Sequence, residues 1–142
     1  MIYHFQFSAD ERGGYYGKCI ELEGCRSEGD TLEELKTNFK DALDLYLDEP
    51  DYNTAFPLPD SGNKSSENIL EIEADPDLAF ANYLKYLRLQ HQMTQKDVAD
   101  KLGYQSIFGY RRLERGHNSI KLNTLARLKK IFPDMQVDKV LV

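Results

Sequence analysis

The stretch from Met93 to Gly116 constrains the fold most, because it encodes two short helices joined by a glycine turn. Thr94 is a suitable N-cap for the first helix, since its hydroxyl can accept a hydrogen bond from a free backbone N–H. Gly103 supplies the left-handed residue that ends this helix, Ser106 can cap the second helix, and Gly116 closes it. Apolar residues recur at helical spacing in both helices: Val98, Ala99 and Leu102, then Ile107, Tyr110 and Leu113. Such a helix–tight turn–helix is the arrangement that places a second helix in the major groove of DNA.

The net charge of −6 is divided unevenly along the chain. Residues 1–76 carry 6 Lys and Arg against 18 Asp and Glu, whereas residues 77–142 carry 12 against 6. An acidic part followed by a basic part predicts two domains with different partners, and we place them at residues 1–74 and 75–142. The basic domain suits phosphate, and the acidic domain suits a cationic protein.

Hydrophobic alternation and turn residues predict a β-β-β-α-β order for the first domain. Strands are expected over residues 2–7, 15–22, 24–28 and 68–73, the first with one aromatic face. Thr31 and Glu34 have capping-box spacing, so the Glu34 carboxylate is expected to reach back to the Thr31 N–H. The helix that follows should end before Pro50, and its apolar stripe is Leu32, Leu35, Phe39, Leu43 and Tyr46. Proline, glycine and serine mark residues 59–68 as a flexible loop.

Five helices are predicted for the second domain. Asp75 and Pro76 are an N-cap and a first helical residue, and the two helices described above follow. The spacing of Leu122, Leu125, Leu128 and Phe132 predicts a fourth helix, which is ended by Pro133. A short last helix is expected over Val137–Leu141, with Val140 and Leu141 buried. The predicted fold class is therefore α+β, with a sheet domain followed by an all-α domain.

These residues resemble two known groups of proteins. Residues 77–141 resemble the Cro/repressor-type helix-turn-helix family in Thr94-Gln95, Ala99, Gly103 and the Leu-Glu-x-Gly that ends at Gly116. The whole chain resembles the HicB antitoxin family through GYYGKCIELEGCRSEGDTLEEL (residues 14–35) and LGYQSIFGYRRLE (residues 102–114). The second resemblance implies a partial RNase H-like fold in the first domain. It also implies that this domain binds and blocks HicA, a small mRNA-cleaving ribonuclease.

Carried over to this sequence, the resemblance implies a set of DNA-binding residues: Gln95, Lys96, Ser106, Ile107, Phe108, Arg111, Arg112 and Arg115. Gln95 is expected to bond a phosphate at a helix N-terminus. Arg111 and Arg112 can each form a bidentate contact with guanine, worth roughly 1–3 kcal/mol of discrimination. The alternative is that all of these are ordinary surface residues. An exposed isoleucine–phenylalanine pair beside two arginines is costly unless something covers it, which favours nucleic-acid contact.

The same resemblance assigns a structural role to Arg88 and Glu114. They occupy the family positions of an ion pair that ties the first helix to the end of the recognition helix. Such a pair fixes helix orientation, and removing one partner would leave a buried charge unpaired at a cost of about 3–5 kcal/mol. We therefore expect these two residues to hold the fold rather than to contact DNA.

The first domain lacks the residues that an RNase H-type nuclease needs. Such an enzyme holds a divalent metal with clustered carboxylates, one of them in the first strand, and residues 2–7 contain no acid. No Ser–His–Asp or Cys–His set has a meaningful spacing, and Cys19 and Cys25 alone cannot complete a zinc site. We therefore predict that the chain is not an enzyme, with no catalytic residue, no metal and no cofactor.

An acidic, tyrosine-bearing face remains as a binding surface in the first domain. The candidate toxin-binding residues are Tyr15, Tyr16, Glu21, Glu23 and Glu28, and we group Tyr52 and Phe56 with them. A face of this kind suits a basic ribonuclease, where it would mimic or screen RNA phosphates. The alternative is that most of these tyrosines fill the small core.

The function predicted from these features is that of an antitoxin of a type II toxin–antitoxin system. It would neutralise a HicA-like toxin protein and repress its own operon by binding operator DNA as a homo-oligomer, either a dimer or a tetramer. The alternative is a stand-alone transcriptional regulator whose first domain senses a small molecule, which would require a sizeable apolar pocket. Because the sequence has no apolar run long enough for a membrane span and no leader, we expect a cytoplasmic protein.

Overall fold

The computed structural model describes residues 1–60, 62 and 66–142, which divide into two compact units. The sheet unit contains residues 1–47 and 57–75 together with Val142, and the helical unit contains residues 48–56 and 76–141. The sequence analysis placed residues 48–56, hereafter the strap, in the first domain, whereas the structure packs them with the second. The predicted flexible loop over residues 59–68 lies partly outside the described residues.

Four antiparallel strands form the sheet in the order β3-β2-β1-β4. The elements of this unit are β1 (Ile2–Ala9), β2 (Tyr15–Cys19), β3 (Arg26–Gly29), α1 (Leu32–Leu47) and β4 (Ile69–Glu73). Helix α1 buries Leu35, Phe39, Leu43 and Leu47, and the Phe39 ring stacks on the Phe5 ring of β1 at 4.4 Å between centroids. The aromatic face predicted for the first strand is thus the core face of the sheet.

Close approach of backbone and helix explains the glycine in the middle of β2. A Cβ at Gly17 would lie 2.3 Å from the carbonyl oxygen of Gln6 and 2.8 Å from the Phe39 ring. The first of these atoms belongs to the backbone of β1, which cannot yield without breaking the strand pairing. Only glycine therefore fits at this position of the sheet.

The start of α1 has a variant of the predicted capping box. The Glu34 N–H donates to the Thr31 hydroxyl oxygen at 3.1 Å, as the spacing predicted. The Glu34 carboxylate accepts from the N–H of Asp30 at 3.3 Å, one residue before the predicted donor. The N-terminus of α1 therefore has two capping hydrogen bonds, and the Glu34 carboxylate accepts from the residue before Thr31.

The helical unit contains α2 (Pro76–Gln90), α3 (Gln95–Lys101), α4 (Ile107–Arg115) and α5 (Leu122–Ile131), followed by a 3₁₀ turn at Val137–Lys139. Its core is drawn from all of these helices and includes Ala79, Phe80, Leu84, Val98, Leu102, Tyr110, Leu128 and Phe132. Two predictions were wrong here. The fifth helix over Val137–Leu141 is only a 3₁₀ turn, and Leu141, which was expected to be buried, is 64% exposed. Leu122, at the start of α5, is 80% exposed.

The order of strands and helices confirms the predicted α+β class, while the RNase H-like relationship stays a prediction. The second strand is shorter than predicted, because the chain turns where the Cys25 N–H donates to the Leu22 carbonyl at 3.2 Å. The Cys19 N–H donates to the Cys25 carbonyl at 2.8 Å, which closes this turn at the end of β2. Leu32, predicted on the apolar stripe of α1, is also largely exposed.

Candidate nucleic-acid interface

Local hydrogen bonds fix the two-helix element in the helical unit. Thr94 caps α3 in a full capping box, with its hydroxyl accepting from the Asp97 N–H and the Asp97 carboxylate accepting from the Thr94 N–H. Gly103, with a φ of 77°, ends α3 in a Schellman motif, because its N–H reaches Asp100 O and the Tyr104 N–H reaches Ala99 O. Ser106 occupies the N-cap of α4 without a side-chain hydrogen bond to the helix.

A buried carboxylate, Glu114, joins the helices of this element. Its two oxygens accept from Arg88 Nε at 2.5 Å, from Gln95 Nε2 at 2.7 Å and from the Tyr110 hydroxyl at 2.9 Å. These donors lie on α2, α3 and α4, so a single charge sets the relative orientation of three helices. Burial, together with the adjacent Glu114 carboxylate, holds the pKa of Tyr110 well above its usual value, which keeps the phenol a donor.

Arg88 supplies the positive charge that makes this burial tolerable. Besides Glu114, its guanidinium donates to the Met93 carbonyl at 3.0 Å and to the Tyr52 carbonyl. Both Arg88 and Glu114 are almost completely buried. The structure thus brings together the two residues predicted as a structural ion pair, and it adds the strap as a further partner.

Buried polar side chains of α2 fasten the strap to the helical unit. The Lys85 ammonium donates to the carbonyl oxygens of Glu49 at 3.2 Å and Asp51 at 2.8 Å, and burial lowers its pKa. The Asn82 amide accepts from the Phe56 N–H at 2.8 Å and donates to the Phe56 carbonyl at 3.2 Å. These bonds satisfy main-chain groups that would otherwise lose hydrogen bonds to water.

The first residue of the strap carries a carboxylate that pairs with two basic side chains. Asp48 Oδ1 lies 2.7 Å from His117 Nε2 and 3.5 Å from Arg115 Nη2. The hydrogen bond with His117 lowers the pKa of Asp48 below its usual value. All three side chains are partly exposed, so this cluster lies at the surface of the helical unit.

Arg111 is held in place although it lies at the surface. Its Nε donates to Gln95 Oε1 at 3.0 Å, and its Cζ lies 5.6 Å from the Tyr52 ring centroid and 5.7 Å from the Phe108 ring centroid. Both distances are within the range of cation–π attraction. The contacts that the structure describes for this guanidinium are the Nε hydrogen bond and the approach of its Cζ to two rings, and none is a hydrogen bond from an Nη group.

The outward side of α4 combines aromatic and basic groups. Phe108 is 61% exposed, and Arg112 is exposed beside it. A concave surface of about 270 Å³ is lined by Phe108, Arg111, Arg112, Arg115, His117 and Asn118. A surface of guanidinium groups around an exposed ring is suited to phosphate and base edges.

Two of the remaining DNA-binding candidates are already engaged with protein groups. Gln95 is only 5% exposed, and its amide bonds both Glu114 and Arg111, so it links side chains instead of presenting itself to phosphate. This burial corrects the expectation of a direct phosphate contact. Lys96 pairs with Asp100 at 2.9 Å, a hydrogen bond that raises its pKa, and both side chains are exposed. Ile107 is partly exposed, and Ser106 is exposed.

The toxin-binding candidates of the sheet unit differ in their exposure to solvent. Tyr16 is 50% exposed and lies directly opposite Glu28 in the β2–β3 register, and Glu23 is exposed in the following turn. Tyr15 is partly buried and its ring contacts Phe7 at 6.2 Å between centroids.

Glu21 is not a surface residue, because its side chain is 5% exposed. It accepts from the His4 N–H at 2.9 Å, and its other oxygen lies 2.7 Å from His4 Nδ1.

Tyr52, which was predicted to belong to the toxin-binding surface, lies in the strap and belongs to the helical unit. The strap was missed because its hydrogen bonds join buried side chains to carbonyl groups, which leave no pattern in a sequence.

The acids and thiols of the described residues form no metal site. Within residues 1–60, 62 and 66–142, no three His, Cys, Asp or Glu residues lie close enough together to hold a metal ion. Burial raises the pKa of the Cys19 thiol to about 12 and that of Cys25 to about 11. In the same part of the chain, no helix has the length and apolar character needed to cross a membrane.

Comparison with known proteins identifies the helical element and finds relatives of part of the chain. A helix-turn-helix family model matches residues 84–133, which contain α3 and α4. The UPF0150 protein ssr1765 of Synechocystis sp. (strain ATCC 27184 / PCC 6803 / Kazusa) is 47% identical over 50 residues, covering 34% of this chain and 63% of that protein. The UPF0150 protein ssr1258 of the same organism is 40% identical over 40 residues, covering 28% of this chain and 58% of that protein. The chain therefore spans about three fifths of the length of these curated relatives, and its helical unit contains a helix-turn-helix DNA-binding domain.

Proposed function

We propose that this chain is the antitoxin of a type II toxin–antitoxin system, which represses transcription through α4 and neutralises a HicA-like ribonuclease through its sheet unit. The observation that carries the DNA-binding part is the side of α4 that displays Phe108, Arg111 and Arg112 within the matched helix-turn-helix range. The antitoxin part is supported by the resemblance of residues 14–35 to the HicB family.

In the proposed DNA complex, α4 enters the major groove as the recognition helix. Arg111 and Arg112 contact base edges, and Phe108 contacts a thymine methyl group. Arg115 and Lys96 lie near the ends of the two helices and contact phosphates, which makes the affinity depend on salt. Gln95 acts through Arg111, since the structure commits its amide to that side chain and to Glu114.

The proposed toxin-binding surface is the exposed face of the sheet. Tyr16 and Glu28 lie side by side on β2 and β3, and the edge strand β4 adds the exposed carboxylates of Glu71 and Glu73. An exposed ring with a carboxylate beside it suits a cationic, RNA-binding protein surface, and the exposed Lys18–Arg26 pair lies next to it on the same face of the sheet. The chain would act by covering that surface, so the proposal requires no catalysis by this protein and no cofactor.

We propose a groove beside α5 as the contact between two copies of the chain. It measures about 440 Å³ and is lined by Leu122, Leu125, Ala126, Lys129, Met135, Gln136, Val137 and Asp138. An exposed leucine in an apolar groove marks an interaction site, and charges of both signs at its rim suit a two-fold contact. Sedimentation of Leu122→Lys tests this point, and a monomer is expected where the wild-type chain is a dimer.

A separation-of-function experiment tests the whole proposal. The variant R111A/R112A should lose repression of a reporter placed behind the chain's own promoter, while still rescuing growth when the HicA-like toxin is co-expressed. The variant Y16A/E28K should lose rescue and keep repression. Glu33→Ala, an exposed acid on α1, is the matched control and should change neither activity.

Three results would contradict the proposal in different ways. Failure of the wild-type chain to rescue growth or to bind the toxin would remove the antitoxin role. Repression that survives R111A/R112A would remove α4 as the recognition helix. Repression that responds to a metabolite without any protein partner would favour the small-molecule sensor.

A further inference from the structure

We infer that Tyr52 of the strap is a positioning residue that presents Arg111 to DNA. This inference rests on the proposed function and names a part of the DNA-binding device that lies outside the matched range of residues 84–133. The Tyr52 ring is 47% exposed, so it is not held there by burial in the core. Its described contact with the interface is the guanidinium of Arg111, at 5.6 Å.

The contacts that the structure describes around Arg111 hold its guanidinium in place, and none of them is a hydrogen bond from an Nη group. Gln95 Oε1 accepts from Nε at 3.0 Å, and the rings of Tyr52 and Phe108 lie within 5.7 Å of Cζ. A bidentate contact with guanine or phosphate uses two parallel N–H groups of one guanidinium. A guanidinium held by an Nε hydrogen bond and by two nearby rings can still make that contact with its two Nη groups. It then loses less conformational freedom on binding than an unrestrained arginine side chain would.

Two of the three supports of Arg111, Gln95 and Tyr52, are linked to the same buried carboxylate, Glu114. Gln95 donates to Glu114, and Arg88 pairs with Glu114 while donating to the Tyr52 carbonyl. The Tyr52 carbonyl therefore accepts from Arg88, which fixes the backbone, while the Tyr52 ring contacts Arg111. The result is a closed ring of contacts running through Glu114, Arg88, Tyr52, Arg111 and Gln95.

The test measures affinity and sequence discrimination with a DNA site selected by the wild-type chain from a random double-stranded pool. Tyr52→Ala should weaken binding to that site by about five- to tenfold, the size expected for losing one cation–π support of a preorganised arginine. Affinity for unselected DNA of the same length should change by less than about twofold, since phosphate contacts remain. Tyr52→Phe, which keeps the ring, should restore wild-type discrimination. Leu45→Ala is the matched control, because it removes a large side chain that is 78% exposed from the sheet unit, where no DNA contact is proposed.

A double-mutant cycle with Arg111→Ala separates positioning from general loosening of the fold. If Tyr52 acts through Arg111, adding Tyr52→Ala to Arg111→Ala should cause no further loss of discrimination. An additional loss in that background, or an unchanged Tyr52→Ala protein, would overturn the inference while leaving the proposed function standing. A wild-type chain that prefers no DNA sequence would overturn both. In the free protein, the Arg111 Nε–H signal in nitrogen-15 NMR should lose order in Tyr52→Ala, and an unaltered signal would also contradict the inference.

Discussion

In the part of the chain that the structure describes, each unit buries a carboxylate beside a basic side chain, and the two carboxylates have different partners. Glu114 collects donors from α2, α3 and α4 and is linked through Gln95 and Arg88 to residues at the surface. Glu21 collects its donors from one neighbourhood at the end of β2: the His4 N–H at 2.9 Å, the His4 ring at 2.7 Å and the Cys19 thiol at 3.7 Å. The first carboxylate fixes the orientation of three helices, whereas the second closes a corner of the sheet, at the turn that follows β2.

The contrast between Glu114 and Glu21 shows how a buried charge can position side chains at the surface. Glu114 pairs with an arginine, which is always charged, and accepts hydrogen bonds from several helices. Such a carboxylate can fix the relative positions of surface residues that are far apart in the sequence. A carboxylate bound to a backbone N–H and a single ring stabilises only the strands that supply them. Surface residues such as Tyr16 and Glu28 therefore depend on strand register for their placement, while Arg111 depends on a side-chain network.

The largest expected effect comes from removing each carboxylate in turn. Glu114→Ala should lower the free energy of unfolding of the helical unit by about 3–5 kcal/mol, because Arg88 is left buried without its partner. Glu21→Ala should cost the sheet unit about 1–3 kcal/mol, the penalty for leaving neutral donors unsatisfied. Hydrogen exchange resolved by residue measures the two units separately. Equal losses in both units would contradict the distinction between the two carboxylates.

Alanine in place of glycine should have opposite signs in the two units. Gly17→Ala should destabilise the sheet unit by about 1–3 kcal/mol or more, because the new Cβ would collide with the backbone of β1. In α4, a Cβ at Gly109 would lie 3.1 Å from the ring of Tyr104, a side chain that can shift. Gly109→Ala should therefore be neutral or stabilise α4 by up to about 1 kcal/mol, as expected from helix propensity. Urea denaturation followed by circular dichroism measures both, and a destabilised Gly109→Ala would show that Tyr104 is immobile.

Thiol reactivity should report on the corner that Glu21 closes. Since burial raises the pKa of Cys19 to about 12 and of Cys25 to about 11, both should react slowly with iodoacetamide at pH 8 in the folded protein and rapidly in urea. Glu21→Ala should accelerate alkylation of Cys19 severalfold, and Glu114→Ala should leave the rate unchanged. Mass spectrometry of quenched samples gives both rates. Rapid alkylation of the native wild-type protein would mean that the corner is open.

The smallest expected effect concerns acid and the surface pair at the start of the strap. The hydrogen bond with His117 lowers the folded-state pKa of Asp48, so its contribution is present above its unfolded value of 3.8 and is lost as the pH falls through the folded pKa. Because the pair is partly exposed, the contribution should stay below about 1 kcal/mol. Asp48→Asn should flatten this part of the stability curve at acidic pH, and Asp134→Asn should do the same, because a hydrogen bond with His91 likewise lowers the pKa of Asp134. Identical curves for Asp48→Asn and the wild-type chain would contradict it.

Local patterns in the sequence predicted most of the architecture and only part of the site. Thr94 and Gly103 mark helix ends through chemistry confined to a few residues, so the helix-turn-helix element could be located without a structure. Helical periodicity shows which residues share one face of a helix but not which part of that face is buried, so the exposure of Leu122 on α5 could not be predicted.

The side-chain network could not be predicted in the same way. Gln95 and Glu114 are 19 residues apart, and the burial of the glutamine amide depends on how three helices meet. The strap is held by carbonyl groups, which every residue possesses, so neither Lys85 nor Asn82 signalled its partner in advance. The acidic residues of the first domain likewise looked equivalent in sequence, although Glu21 is buried and Glu28 is exposed.

The strap has a practical consequence for anyone who would transplant the DNA-binding module. Its two ends continue into α1 at Leu47 and into Pro57, whose carbonyl accepts a hydrogen bond from Tyr3, while its middle satisfies Lys85 and Arg88. The module is therefore encoded by two separate pieces of the gene. A chimera spliced at residue 75 would carry α2 to α5 and still leave Lys85 without the carbonyls of Glu49 and Asp51 and Arg88 without the carbonyl of Tyr52. A successful graft has to import both pieces of coding sequence.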